Sequence, residues 1–411
     1  MAISTSVLDT DDYKFSMGQF IFHRPYLNVQ VRFGFINRTK GVRMAEYISE
    51  QKLREELNAA REVRLTSEEY DFMADRKLGK RQMFQKDYLE FLRDFRLGPY
   101  DLEERDGNFR LEFSGPWSEA TYWETRALPI ISELYYGSVI HSSTNPSPSE
   151  IYAQGYRRHT DKLDFLLRSP RIRFSDFGTR RRASKDWQEY AVVSAHRTLG
   201  DQFLGTSNTY LAMKHHLKPV GTMAHELNMI IAACHMAGSD EELRGTQRQL
   251  LRDWEAEYGP DLLIALCDTW GSQFFLNKIF PEFARRWTGT RQDSGDPFAY
   301  GEAVIELYKT LRIDPQSKLI VFSDSLNVEI MEALAMIFDR RINVVFGLGT
   351  NFTNDLGIPT LSLIIKALQA AGRGTVKLPD NLAKAMGSPE DIARIIRVAG
   401  HTNTFFEECK S

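Results

Sequence analysis

From Arg171 onward the chain repeats one grammar: a short apolar or β-prone run closes on Gly, Asp, Ser, Thr, Arg or His, and most runs lead into a helical pattern. The runs are RIRFSDFGTR, QFLGTSNT, KPVGTMAHE, LLIALCDTWG, RRWTGTRQDSGD, KLIVFSDSLN and INVVFGLGTN. Strands separated by helices return in the same direction, so they pair in parallel. Seven such units in about 180 residues predict a closed or nearly closed α/β barrel rather than a four- or five-stranded open sheet. The loops that follow the strands of a barrel share one rim. Gly178, Ser207, His225, Asp268, Asp293, Asp324 and Gly349 are therefore expected to converge there.

The first third reads differently, as a mixed α/β unit. NVQVRFGFIN alternates Val29, Val31, Phe33 and Phe35, the period of a half-buried strand. In YDLEERDGNFRLEF, Asp106-Gly107 separates two alternating runs as a hairpin turn. Thr66 with Glu69 three residues on forms a capping box, and Tyr88, Leu89, Phe91, Leu92 and Phe95 make one helix face. HSSTNPSPSE, His141 to Glu150, predicts an exposed loop near a boundary. The expected organisation is an N-terminal α/β domain over 1–135, a barrel over 136–365, and a segment over 366–411 packing back on the N-terminal domain.

Composition removes several classes of function. A balance of 52 basic against 55 acidic residues gives a formal charge of −3, with no electrostatic footprint for nucleic acid or an anionic membrane. No apolar run approaches the roughly 20 residues needed to span a bilayer, and MAISTSVLDTDDYK has no secretory pattern, so a cytoplasmic protein is expected. Cys234, Cys267 and Cys409 are odd in number and far apart, which predicts buried thiols rather than disulfides or a zinc cluster. His225-Glu226 in GTMAHE lacks a second histidine four residues after the first, which excludes the HExxH zinc-protease helix.

The predicted strand ends carry a consistent chemistry. Gly347, Gly349 and Thr350 of FGLGT let backbone N–H groups approach a phosphate. Asp268, Asp293 and Asp324 suit Mg²⁺ carried by a phosphorylated substrate, or a ribose diol, although each alone is more often a cap or turn residue. Arg180, Arg181, Arg182 and Arg291 offer guanidinium forks for pyrophosphate or carboxylate, although three consecutive arginines are not all expected to point inward. Phe177 is either packing or a platform for a flat ring. Together these residues suggest a phosphorylated sugar meeting a flat heterocycle.

In order along the chain, LDTDDYKFSM, YWETRALPIISELYY, FSDFGTRRRAS, FLGTSNTYLA, GTMAHE, TGTRQDSGDP, FSDSLN, FGLGTNFTND, VKL and AKAMG resemble the nicotinate phosphoribosyltransferase family in its shorter microbial form. The resemblance implies an irregular TIM-like α/β barrel with an additional, mainly N-terminal α/β domain, and a homodimer with shared active sites. It implies transfer of phosphoribosyl from 5-phosphoribosyl-1-pyrophosphate to nicotinate in NAD salvage, giving nicotinate mononucleotide and pyrophosphate, with ATP as co-substrate and Mg²⁺ as cofactor. By the matching motifs, Phe177 and the partner subunit's Tyr13 would sandwich the pyridine ring. Ser207 and Arg291 would face its carboxylate, and Asp293 the ribose hydroxyls. Arg180 and Asp268 would handle pyrophosphate and Mg²⁺, with Asp293 as a second metal candidate. Ser323, Asp324, Gly347, Gly349 and Thr350 would line the sugar and 5-phosphate site. His225 would be phosphorylated by ATP, since a neutral imidazole can attack phosphorus at neutral pH. Glu226 reads as the start of the next helix. The rival readings are a nicotinamide or quinolinate phosphoribosyltransferase and a non-catalytic phosphosugar sensor. Ser207 in place of an acidic residue argues against the nicotinamide form, because an acid there would repel the carboxylate of nicotinate and suit an amide.

Overall fold

The computed structural model describes residues 2–402 and 406–407, which leaves Cys409 outside the described residues. Two sheets organise the chain. The first is antiparallel, in the order Arg373–Gly374, Leu363–Ala370, Gln30–Asn37, Asn108–Pro116 and Tyr100–Arg105. Val31 and Phe33 are buried on its core face as the alternation requires. The Asp106-Gly107 turn joins its two outer strands with both residues at positive φ, 52° and 77°, the turn whose twist matches a hairpin. Leu363–Ala370 comes from far along the sequence and pairs with Gln30–Asn37. The Thr66–Glu69 capping box is present, and the helix Lys86–Asp94 buries Tyr88, Leu89 and Leu92.

The second sheet has six parallel strands, ordered Phe203–Thr206, Phe174–Asp176, Asn343–Leu348, Leu319–Phe322, Gly289–Gln292 and Ile264–Leu266. Six of the seven sequence units supply these strands. The seventh, KPVGTMAHE, was expected to end a strand at His225. It makes only an isolated bridge, Thr206 to Pro219, and His225 instead opens the helix His225–Cys234. The sheet's edge strands, Phe203–Thr206 and Ile264–Leu266, do not pair with each other, so the expected barrel does not close into a ring of hydrogen bonds.

Register explains why the strand ends meet. Phe203, Phe174, Phe346 and Phe322 occupy one row across four adjacent strands. All four are buried. The rings of Phe322 and Phe346 stack at 6.1 Å, and those of Phe174 and Phe203 meet edge-on at 5.3 Å. This aromatic floor fixes the strands against slippage. The residues that follow it, Phe177-Gly178, Ser207, Ser323-Asp324 and Gly347 to Thr350, then emerge at one end.

The 20-residue helix Trp123–Ser142 runs through the molecule, with Trp123 to Ser132 buried throughout. It extends to Ser142, and the next helix begins at Pro148, so the expected loop of His141 to Glu150 shrinks to the five residues 143–147. A capping box between Ser147 and Glu150 recruits the end of that run into a helix. No helix among the described residues is long and apolar enough to cross a membrane.

Candidate active site

The centre of the site is His225. It is 3% exposed, with Nε2 2.9 Å from Asp293 Oδ2 and Nδ1 2.9 Å from Thr269 Oγ1. Asp293 is held well below the usual carboxylate range: burial alone would raise it, but Arg291, the bond from His225 and Lys377 together outweigh burial. An ionised carboxylate only accepts, so Nε2 carries the ring proton and the Thr269 hydroxyl donates to Nδ1. Asn228 Nδ2 donates to the same Thr269 oxygen at 3.3 Å, which leaves that hydroxyl's proton for His225. Burial, with Lys377 nearby, pushes the imidazole down to about 4, against opposing pulls from Asp268 and Asp293. At neutral pH the ring is uncharged.

Asp268 lies behind this pair. Its Oδ2 accepts from Ser294 Oγ at 2.5 Å, and its Oδ1 is 3.6 Å from His225 Nε2. Among the described residues that Oδ1 is buried without a hydrogen-bond partner, a costly state unless something binds it. Ligand atoms of His225, Asp268 and Asp293 lie within 4.8 Å of one another. An orphaned carboxylate oxygen beside a second, ionised carboxylate fits a hard divalent cation such as Mg²⁺.

The strand ends place the remaining rim residues. Ser323 Oγ donates to Gln292 O at 2.9 Å and to Asp293 Oδ1 at 3.2 Å, locking two neighbouring strand ends together. Arg291 NH1 donates to Met223 O at 3.2 Å and NH2 lies 3.6 Å from Asp293 Oδ1, while its buried Nε has no partner among the described residues. Phe177 is half-buried and lies against Gly347, where an added Cβ would meet its ring carbons at 2.4 Å. Gly178 is similarly enforced, since a Cβ there would be 2.1 Å from Thr353 Oγ1. Gly349 precedes the short turn of helix that Thr350 opens. Asp324 is paired with Lys384 Nζ at 2.5 Å.

Three placements bear on the sequence reading. Tyr13 was expected from a partner subunit. Within its own chain it is closely packed: a Cβ on Gly221 would lie 2.6 Å from Tyr13 N, and the guanidinium of Arg180 stands 5.6 Å from the Tyr13 ring centre. The cause is the acidic stretch before it, whose carboxylates are pinned by arginines of the same chain. Asp9 pairs with Arg182 at 2.7 Å, Asp11 with Arg180 at 2.9 Å, and Asp12 with Arg76. Second, Ser207 was read as a hydroxyl free to face a carboxylate. Its Oγ donates to Asp11 Oδ1 at 2.6 Å, so an acidic group stands beside it after all. Third, as expected of three consecutive arginines, the run is divided between tasks. Arg180 reaches the site, whereas Arg182 is fully buried between Asp9 and Glu133.

Several residues of the site carried no separate signal. Asp11, Glu124 and Thr269 lie in segments singled out for other residues. Lys377 and Lys384 were visible only as letters of VKL and AKAMG, and Lys366 occupies a strand of the first sheet. All three lysines interact electrostatically with Asp293. Burial, helped by Lys377 and Arg180 and opposed by Glu124 and Asp293, lowers Lys366 to about 8. Burial also lowers Lys377, although Asp268 and Asp293 oppose it. Of the cysteines, Cys267 is buried as expected and accepts from Tyr300 OH at 3.1 Å, but Cys234 is only half-buried. The site as a whole offers carboxylates for a cation, lysines and arginines for phosphates, the aromatic rings of Phe177 and Tyr13, and a neutral buried imidazole.

A family model described as nicotinate phosphoribosyltransferase matches residues 172–401, and one for that family's N-terminal domain matches residues 8–132. Among solved structures, the nicotinate phosphoribosyltransferase of Porphyromonas gingivalis is 30% identical with a TM-score of 0.86, over 97% of this chain and 100% of that one. The enzyme of Vibrio cholerae is 28% identical with a TM-score of 0.87, covering 98% and 94%. A putative nicotinate phosphoribosyltransferase of Saccharomyces cerevisiae is 28% identical with a TM-score of 0.84, covering 98% and 99%.

Proposed function

Because this chain belongs to the nicotinate phosphoribosyltransferase family, we propose that it joins nicotinate to 5-phosphoribosyl-1-pyrophosphate and couples the reaction to ATP through a phosphohistidine at His225. The observation that carries the ATP-coupled part is a buried neutral imidazole bonded to Asp293 and 3.6 Å from the orphaned oxygen of Asp268. In the transfer step the pyridine nitrogen forms the bond to the anomeric carbon as the carbon–oxygen bond to pyrophosphate breaks. Charge builds on the leaving group, and an oxocarbenium-like sugar needs the base held in line. Phe177 and Tyr13 supply flat surfaces for the base, and Arg291, with an unused buried Nε–H, supplies the cation for its carboxylate. Arg180, Lys377 and Lys384 supply positive charge for the phosphates. Asp293 and Ser323 face the sugar hydroxyls, and Asp324 with Gly347, Gly349 and Thr350 frames the 5-phosphate end.

Asp268 Oδ1 and Asp293 would hold Mg²⁺, which supplies charge neutralisation for pyrophosphate when bound. Attack of His225 on the γ-phosphorus forms an N–P bond and breaks the P–O bond to ADP. For Nε2 to attack, its proton passes to Nδ1, where Thr269 Oγ1 accepts it in place of donating. Water then attacks the phosphorus and cleaves the N–P bond, which releases orthophosphate and returns the imidazole for another turnover. A homodimer belongs to this reading, with Tyr13 serving the site of its own chain. Nicotinamide is the competing base, and Asp11 beside Ser207 is the observation in its favour, because a carboxylate can accept from an amide NH₂.

The test is incubation with Mg-ATP labelled in the γ-phosphate. The expected result is an acid-labile, base-stable label that is lost in His225→Ala together with the ATPase, while slow ATP-independent formation of nicotinate mononucleotide survives. A label that persists in His225→Ala would place the phosphorylated residue elsewhere.

A further inference from the structure

Between the base-side residues and His225 lies a charged side chain that the chemistry above does not use. Lys14 is 0% exposed; its Nζ donates to Glu226 Oε2 at 2.6 Å and to Thr121 Oγ1 at 3.3 Å, and pairs with Glu124 Oε2 at 2.9 Å. Each carboxylate has a second task. Glu124 accepts from Tyr13 OH at 3.3 Å and from Arg180 NH1 at 3.3 Å. Glu226 accepts from Trp117 Nε1 at 2.5 Å and is the residue directly after His225, in the first turn of its helix. The half-buried Arg180 and the buried Glu124, Lys14 and Glu226 thus form a continuous chain of charges from the base side of the rim to the start of the His225 helix.

Burying an ion pair is a poor route to stability, because desolvation offsets the attraction and well-packed apolar groups do as well. Directional bonds to a fully buried ammonium do fix geometry, however. Lys14 also follows Tyr13 directly, so holding its ammonium holds the backbone that presents the Tyr13 ring. The half-buried Lys366 interacts electrostatically with Glu124 but forms no ion pair with it among the described residues, leaving Lys14 and Arg180 as that carboxylate's ion partners.

We infer that Lys14 is a positioning residue for the transfer reaction: through Glu124 and Glu226 it sets Tyr13 and Arg180 in register with the helix that presents His225. This rests on the reading that Tyr13 and Arg180 serve the base side of the site. Lys14→Met alone would leave two facing buried carboxylates and can unfold the chain. The double variant Lys14→Met/Glu226→Gln keeps the charge balance, and the glutamine oxygen still accepts from Trp117. Steady-state kinetics on the folded double variant should show the nicotinate KM raised about tenfold with kcat reduced less than about threefold. A role confined to folding would lower kcat through the active fraction and leave KM within twofold of the parent, and that result would overturn the inference. If the double variant does not fold, Glu226→Gln alone is read in the same way, and an unchanged nicotinate KM there overturns it equally. A parent enzyme that makes no nicotinate mononucleotide would instead sink the substrate reading, and the inference with it.

Discussion

The buried neutral state of His225 has a thermodynamic consequence that needs no substrate to observe. In the unfolded chain a histidine takes up its proton near pH 6.5, whereas burial in the folded protein delays His225 to about pH 4. Between those values the unfolded state binds more protons. The folded-state contribution is therefore fully present above pH 6.5 and is lost as pH falls toward 4. The difference of about 2.5 units corresponds to about 3 kcal/mol over the whole window, at about 1.4 kcal/mol per unit. Between pH 7 and pH 4.5 the loss assigned to this one residue is about 2 kcal/mol. His225→Gln is the informative replacement, because its amide NH₂ can still donate to Asp293 where Nε2–H does, yet it does not titrate. His159, which burial also pushes down to about 4, is present in both proteins and cancels in the comparison. Urea unfolding at pH 7 and pH 4.5 should show the parent losing about 2 kcal/mol more than His225→Gln. Equal losses in the two proteins would mean that His225 is not held neutral, and the argument for it as an uncharged nucleophile would fail.

Other parts of the site make separate predictions. Gly347→Ala forces the Phe177 ring away from a Cβ that would otherwise meet it at 2.4 Å. Overpacking of this kind costs about 1–3 kcal/mol, so the nicotinate kcat/KM should fall at least about fivefold, and an unchanged value would remove Phe177 from the base site. Because Tyr13 docks on its own chain, mixing Tyr13→Ala and Asp293→Ala chains should restore no activity even when mass measurement confirms mixed oligomers. Recovery on mixing would show Tyr13 crossing between subunits. Asp268→Asn should raise the Mg²⁺ concentration needed for half-maximal activity by about tenfold, as expected when one metal carboxylate is lost; an unaltered Mg²⁺ titration would remove Asp268 from the metal site. Ser207→Asp places a second carboxylate against Asp11, so nicotinate use should fall far more than nicotinamide use. Competition between the two bases measures that ratio, and equal losses would take Ser207 out of base selection.

What the sequence reveals and what it hides divide along a physical line. Parallel strands in register deliver their following residues to one end, so the alternation of apolar runs with Gly and Asp clusters was enough to group Gly178, Ser207, Asp293, Asp324 and Gly349. His225 was found in the right place for a wrong local reason. KPVGTMAHE has the composition of a strand, but Gly221 abuts the Tyr13 backbone, and Ser16 Oγ takes the carbonyl of Thr222 at 2.9 Å, so the segment packs on the N-terminal helix instead of extending the sheet. Asp9, Asp11 and Asp12 stood only as letters of LDTDDYKFSM, because pairing with Arg182, Arg180 and Arg76 is a tertiary fact with no local periodicity. The same holds for Ser207, whose type was legible but whose neighbour, Asp11, lies 196 residues away in the chain. Glu226 was rightly assigned to a helix start, yet its buried partners Lys14 and Trp117 come from two distant segments.

The account stands most directly on a single steady-state measurement: purified protein supplied with nicotinate, 5-phosphoribosyl-1-pyrophosphate and Mg²⁺, with and without ATP, with nicotinate mononucleotide, pyrophosphate and ADP counted together. The predicted result is nicotinate mononucleotide and pyrophosphate in equal amounts, formed faster with ATP and accompanied by ADP, with nicotinamide a poor replacement for nicotinate. Formation of no nicotinate mononucleotide, or preferential use of nicotinamide, would contradict it.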